Sequence, residues 1–191
     1  MKHYLYGVSG VARSGKDTFG IYLKKLLNAN NRPAELLSFA QSLKKDIDPF
    51  LKEKVGISAF TQKTEEKAVI RPLLVAYGMT MRTIDENYWI KKIAKSLIEN
   101  LSKDVASIIT DVRFANEVRF IKTHADACVV HISRLKDNTD PNSIMPPAND
   151  EESENDPLVS DASDIQLVWP TFGDCEDEYT SFIEREFLSL I

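Results

Sequence analysis

Gly10-Val11-Ala12-Arg13-Ser14-Gly15-Lys16-Asp17-Thr18 is the stretch that decides the fold. Ahead of it stands Tyr4-Leu5-Tyr6-Gly7-Val8, apolar, β-prone and short enough for a buried strand. Behind it, Phe19-Gly20-Ile21-Tyr22-Leu23-Lys24-Lys25-Leu26-Leu27 carries apolar residues at helical spacing. A strand, Gly-x-x-x-x-Gly-Lys and a helix make a P-loop. The glycines let the backbone curl so that successive N–H groups point inward, and the helix N-terminus adds its positive end, which together suit phosphate. Gly10, Ala12, Arg13, Ser14, Gly15, Lys16, Asp17 and Thr18 are therefore candidate nucleotide contacts, with the Lys16 charge set against the outer phosphates.

The residue after Lys16 departs from the commonest form, in which a Ser or Thr hydroxyl binds Mg²⁺. Here it is Asp17, followed by Thr18. The carboxylate can hold the metal directly, hold it through water, or orient the acceptor.

Bulk properties narrow the class. At 191 residues, with 43% hydrophobic and 28% charged content, the chain reads as one globular domain with a sizeable core. No apolar run approaches a membrane span, and the N-terminus enters a strand directly, so the expectation is a cytoplasmic protein without a membrane partner. Two cysteines, Cys128 and Cys175, do not make a disulfide framework. Net charge is −5, but residues 137–184 hold 14 acids and no Lys or Arg; removing those 14 leaves +9 on the remainder. A basic body suits small anionic ligands. Nucleic acid is not an expected partner, since no basic run is interleaved with aromatics.

Read in order, residues 3–8 form a strand, 15–29 a helix, 35–39 a strand, and 39–55 a helix stopped by Gly56. Lys44 and Lys45 lie on that second helix, as surface charges or as lining for an acceptor. Residues 61–80 are helical, with a new start expected at Pro72. Thr83-Ile84-Asp85-Glu86 reads as a capping box for a helix bearing Trp89, Ile90, Ile93, Leu97, Ile98 and Leu101, and spacing alone makes Trp89 a packing residue. Residues 105–110 are a buried strand ending in Asp111-Val112-Arg113-Phe114-Ala115-Asn116-Glu117. An Asp at the carboxyl end of such a strand can hold Mg²⁺ through water, and Arg113 can clamp a phosphate with its planar fork. A helix over 115–123 and a strand over 127–132 follow. His131 is structural on this reading, and Arg134 is positioned to reach a phosphate. Residues 135–164 are the least regular segment, an acidic lid-like stretch. Residues 165–169 form the last strand, and Tyr179, Phe182, Ile183, Phe187 and Leu190 mark a closing helix. Strands alternating with helices imply an α/β fold, a parallel sheet with helices on both faces.

These pieces together resemble the bacteriophage deoxynucleoside monophosphate kinases, among the small P-loop kinases. The resemblance rests on Gly10 to Thr18, Phe39-Ala40-x-x-Leu43-Lys44 and Arg71-x-Leu73-Leu74-x-x-x-Gly78. It rests further on Arg82 with Trp89, Asp111-x-Arg113-x-x-x-Glu117 and Ser153-Glu154. Animal-type phosphomevalonate kinases share the Gly-Lys-Asp loop, the Asp-x-Arg and an acidic Glu-Ser-Glu run. Val75 and Met79 stand where polar residues are common, and Glu151 stands where a His is expected.

The resemblance implies a three-layer P-loop NTPase fold, a five-stranded parallel sheet in the order 2-3-1-4-5, in a single domain spanning 1–191. It implies ATP and Mg²⁺ as cofactors, with Ala12 to Thr18 around the ATP phosphates and Arg134 as a lid arginine. Arg13, Lys44, Arg71, Trp89, Asp111, Arg113 and Glu117 would surround the acceptor monophosphate, and Trp89 becomes a wall against its base. Asp17, Thr18 and Asp111 would serve the metal, and Lys16, Arg13, Asp17, Asp111 and Arg113 the transfer. The partners implied are small molecules, and a homodimer is compatible with the reading. The alternatives are a phosphomevalonate-type metabolite kinase and a non-catalytic P-loop switch; the Asn-Lys-x-Asp guanine reader of switch GTPases is missing.

Overall fold

In a computed structural model, residues 3–172 and 176–190 are described, and Cys175 lies outside them. Two compact units are present: Met1–Leu37 with Ser96–Ile191, and Ser38–Lys95.

The first unit is built on five parallel strands: β1 (Leu5–Ser9), β2 (Ala34–Leu37), β3 (Ala106–Val112), β4 (Ala127–Arg134) and β5 (Ile165–Trp169). Their order is β2-β3-β1-β4-β5, as the resemblance implies. β1 is central, with Leu5 opposite Ser107 on one side and Ala127 on the other. Alternation along β1 serves two layers. Tyr6 and Val8 join Phe19 and Leu23 of α1 (Lys16–Ala29) and Ile183 of α7 (Glu176–Glu186) in one core. Gly7 faces the other way, where a Cβ would meet Ile121 of α5 (Ala115–Lys122) at 2.8 Å. The result is a three-layer α/β P-loop fold.

The unit also contains α6 (Asp150–Ala162), a helix within the stretch over 135–164 expected to be irregular. Asn149 caps it, its Oδ1 accepting from the Glu152 N–H at 2.9 Å. Of its thirteen residues only Glu152 and Val159 are buried, and Pro157 lies inside it, so no apolar stripe announces a helix.

The second unit is helical. α2 (Phe39–Val55) starts at Ser38, whose hydroxyl accepts from the Gln41 N–H, and stops at Gly56 in a left-handed conformation, as expected. α3 (Thr64–Ile84) runs straight through Pro72, correcting the expected restart. Pro72 is exposed, where water can satisfy the carbonyl that the ring leaves unpaired. The capping box at Thr83 does not form: the Thr83 hydroxyl donates to the Met79 carbonyl in the last turn of α3, and α4 (Tyr88–Ser102) begins later. The boundary between the units falls inside α4. Trp89, Ile90, Ile93 and Leu97 are buried along α4, whereas Ile98 and Leu101 are exposed. Among the described residues no helix is long and apolar enough to cross a membrane.

Candidate active site

The loop between β1 and α1 has the backbone that its glycines allow. Gly10 has φ +135°, and a Cβ there would stand 2.3 Å from the Ile132 carbonyl oxygen. Gly15 has φ +96°, and a Cβ there would press on the Trp169 indole at 2.7 Å. No other residue fits either place. Arg13, between them, is also left-handed at φ 64°. Lys16 opens α1 and folds back across the loop, its Nζ donating to the Gly10 carbonyl at 2.8 Å and the Val11 carbonyl at 2.6 Å. Burial lowers the Lys16 ammonium from its ordinary range and the nearby Arg113 charge lowers it further, against the opposing pull of Glu152, Asp17 and Asp111.

Parallel pairing with β1 carries the carboxyl end of β3 to the same edge, with Ser9 opposite Val112. Asp111 and Arg113 are therefore close enough to Lys16 for their charges to act on it. Arg113 is half exposed, and its Nη1 donates to Glu152 Oε1 at 3.2 Å. The other oxygen of Glu152 accepts from the Ala12 N–H and from the Ala148 N–H, both at 3.0 Å. Burial pushes the Glu152 carboxyl up, but the two backbone N–H groups and the Arg113 and Lys16 charges hold it below the ordinary glutamate range.

Beneath this layer lies a second polar chain. Ser9 Oγ is 3.1 Å from His131 Nδ1, and His131 Nε2 is 3.7 Å from Asp156 Oδ2 on α6. Burial lowers the imidazole and raises the Asp156 carboxyl. At the end of β4, Arg134 Nη1 donates to the Arg13 carbonyl at 3.4 Å. The site thus gathers Lys16, Arg13, Arg113 and Arg134 around one loop.

Comparison with protein families gives a match to phosphomevalonate kinase over residues 8–127, from β1 through the start of β4. The chain belongs to the phosphomevalonate kinase family. By family it is a P-loop small-molecule kinase. Among solved structures, a shikimate kinase from Acinetobacter baumannii in complex with shikimate is similar at 15% identity and a TM-score of 0.45, covering 99% of this chain and 94% of that one. A dephospho-CoA kinase from Campylobacter jejuni shares 15% identity at a TM-score of 0.44, covering 98% and 96%. TT1252 from Thermus thermophilus shares 13% at 0.49, covering 100% and 99%. Comparison with curated proteins finds no match.

The donor set of this family member fits Mg²⁺. Among the described residues no three His, Cys, Asp or Glu cluster as a metal cage. Asp17 and Asp111 are hard oxygen donors near Lys16, with Thr18 next in the loop. One or two carboxylates with phosphate oxygens and water are what Mg²⁺ takes.

Two expected acceptor contacts, Glu117 and Trp89, are both buried. Glu117 is fully buried, and its Oε2 accepts from the Arg113 and Phe114 N–H groups, so it caps the start of α5 and fixes the backbone at Arg113. Trp89 is buried in the helical unit, its Nε1 donating to the Gly78 carbonyl at 3.2 Å with Tyr77 and Tyr88 edge-on to it. This burial agrees with the packing that its spacing suggests. Lys44 is half-buried on α2 and Arg71 exposed on α3, both in that unit. Glu152, Asp156 and Ala148 were missed; the one signal for Glu152 is Asn149-x-x-Glu152, the spacing of a capping box.

Proposed function

We propose that the protein transfers the γ-phosphoryl group of ATP to a small acceptor that already bears a phosphate, a deoxynucleoside monophosphate, giving the diphosphate. The observation that carries this reading is the meeting of the P-loop and Arg113 at one strand edge, where a single carboxylate touches both. Such a site suits two anions side by side. Lys16 would neutralise the donor phosphates, and the Arg113 fork would hold the acceptor phosphate bidentately. Arg13 and Arg134 add positive charge at the outer lip. Transfer of this kind asks little covalent chemistry of the protein: the anions are aligned, and fixed cations absorb the charge spread over the moving group. Asp17, Thr18 and Asp111 would hold Mg²⁺, whose chemistry there would be charge neutralisation.

A second reading takes phosphomevalonate as the acceptor. The family match favours it, and so does the buried Trp89, since an acceptor without a base needs no aromatic wall. An assay coupling ADP release to ATP, Mg²⁺ and a panel of deoxynucleoside monophosphates beside phosphomevalonate tests both. Turnover of a deoxynucleotide is expected. Turnover of phosphomevalonate alone would transfer the conclusion to the second reading, and ATP binding without transfer to any acceptor would leave a nucleotide-binding switch.

A further inference from the structure

Glu152 receives three donors from three segments: the Ala12 N–H of the P-loop, the Ala148 N–H before α6, and the Arg113 guanidinium after β3. The Ala148 bond is local and belongs to the start of α6. The other two are not, for Ala12 lies 140 residues away and Arg113 39. They are an amide of the phosphate loop and the guanidinium assigned above to the acceptor phosphate. Within the loop, Lys16 Nζ donates to the Gly10 and Val11 carbonyls and the Ser14 N–H donates to the Val11 carbonyl at 3.2 Å.

We infer that the Glu152 carboxylate is an internal stand-in for substrate phosphate, seated on the Ala12 N–H and Arg113 until a ligand phosphate displaces it. This rests on the kinase reading above. A phosphate oxygen needs the same N–H and the same guanidinium face, and an N–H makes one good hydrogen bond at a time. On leaving, Glu152 keeps its bond to Ala148, because both ride on one segment. It gives up the Ala12 N–H and the ion pair with Arg113, whose guanidinium is half-exposed. Both are regained by a ligand of higher charge, so the exchange runs towards binding, and the first turn of α6 loosens as nucleotide enters.

Calorimetric titration of ATP with Mg²⁺, and of adenosine, into wild type and Glu152→Gln tests this. The variant keeps the shape and removes the charge. ATP should bind about fivefold or more tighter, the scale of one like charge removed at contact distance, while adenosine affinity is unchanged. In wild type, hydrogen exchange over residues 150–156 should speed up about threefold or more on adding ATP, a readout that does not depend on the variant folding. ATP binding by the variant that is unchanged or weaker overturns the inference, as does α6 protection that holds or rises with ATP. Wild type that binds ATP but phosphorylates no acceptor removes the kinase reading alone. Wild type that turns over while Glu152→Gln binds ATP no tighter removes the stand-in alone.

Discussion

The phosphate loop and α6 meet at one carboxylate but are held by different forces. The loop is fixed by backbone sterics at Gly10 and Gly15 and by Ser9 and Phe19 buried on either side of it. α6 has one buried apolar side chain, Val159, and otherwise rests on polar contacts through Glu152, Asp156 and its C-terminal carbonyls, where Lys122 Nζ donates to the Ala162 carbonyl at 3.0 Å. Little apolar area holds it, so it opens at far lower cost than the sheet. A rigid cationic cradle beside a detachable acidic helix is a pairing that a ligand can prise apart.

Removing the charge at the centre of the cradle is the largest blow to this comparison. Lys16→Ala should fold and cut turnover by about 10²–10³, the usual loss for an electrostatic stabiliser of the transition state. Steady-state kinetics with a thermal melt as control would show it, and near-normal turnover would take the loop out of the mechanism. Arg113→Lys comes next. The charge survives but the fork does not, so acceptor KM should rise and kcat/KM fall by about 10–100-fold, roughly 1.4–2.7 kcal/mol, with ATP affinity held. A fall in ATP affinity with acceptor KM unchanged would move Arg113 to the donor side.

Val159→Ala sharpens the contrast from the other side. Val159 is 1% exposed, and its truncation should cost about 1–2 kcal/mol, felt locally. Hydrogen exchange over α6 should accelerate about tenfold while the amides of β1, β3 and β4 keep their protection. Equal acceleration in the sheet would mean that α6 opens only with the whole unit.

How much of this was legible depends on range. Gly10 to Thr18, the stop of α2 at Gly56 and the span of β5 are local events, written in residues that touch their neighbours in sequence. The carboxyl end of β3 was legible as a site because parallel pairing brings strand ends together whatever the side chains. The buried cap made by Glu117 was not legible as such, because a cap and a ligand contact need the same carboxylate at the same spacing. α6 was hidden for a different reason: its partners are Ala12, Arg113 and His131, distant in sequence, and a run of acids with Pro157 resembles a loop. The burial of Trp89 was legible from its spacing on α4 alone.

The smallest expected effect lies where α6 crosses the end of β4. Burial lowers the His131 imidazole, an effect that Lys16 adds to and Asp156 opposes, so the folded protein holds it neutral below the ordinary value. An unfolded chain protonates that histidine at about pH 6.5. Above that pH neither state binds the proton and His131 is silent; below it the unfolded state takes up the proton first, and stability falls as pH falls. Asp156 works with the opposite sign, its raised carboxyl taking up a proton in the folded state first, but its ordinary value sets that window lower, from about pH 4 upward. Between pH 6.5 and 5.5 the wild type should therefore lose stability relative to His131→Gln, by no more than the roughly 1.4 kcal/mol that one proton gives over one pH unit, measured as the difference between their urea unfolding free energies. The exchange protection of α6 should fall over the same range, because Asp156 is the group across from the ring. Parallel pH profiles for the two proteins would show that His131 titrates alike folded and unfolded, and that α6 is indifferent to it.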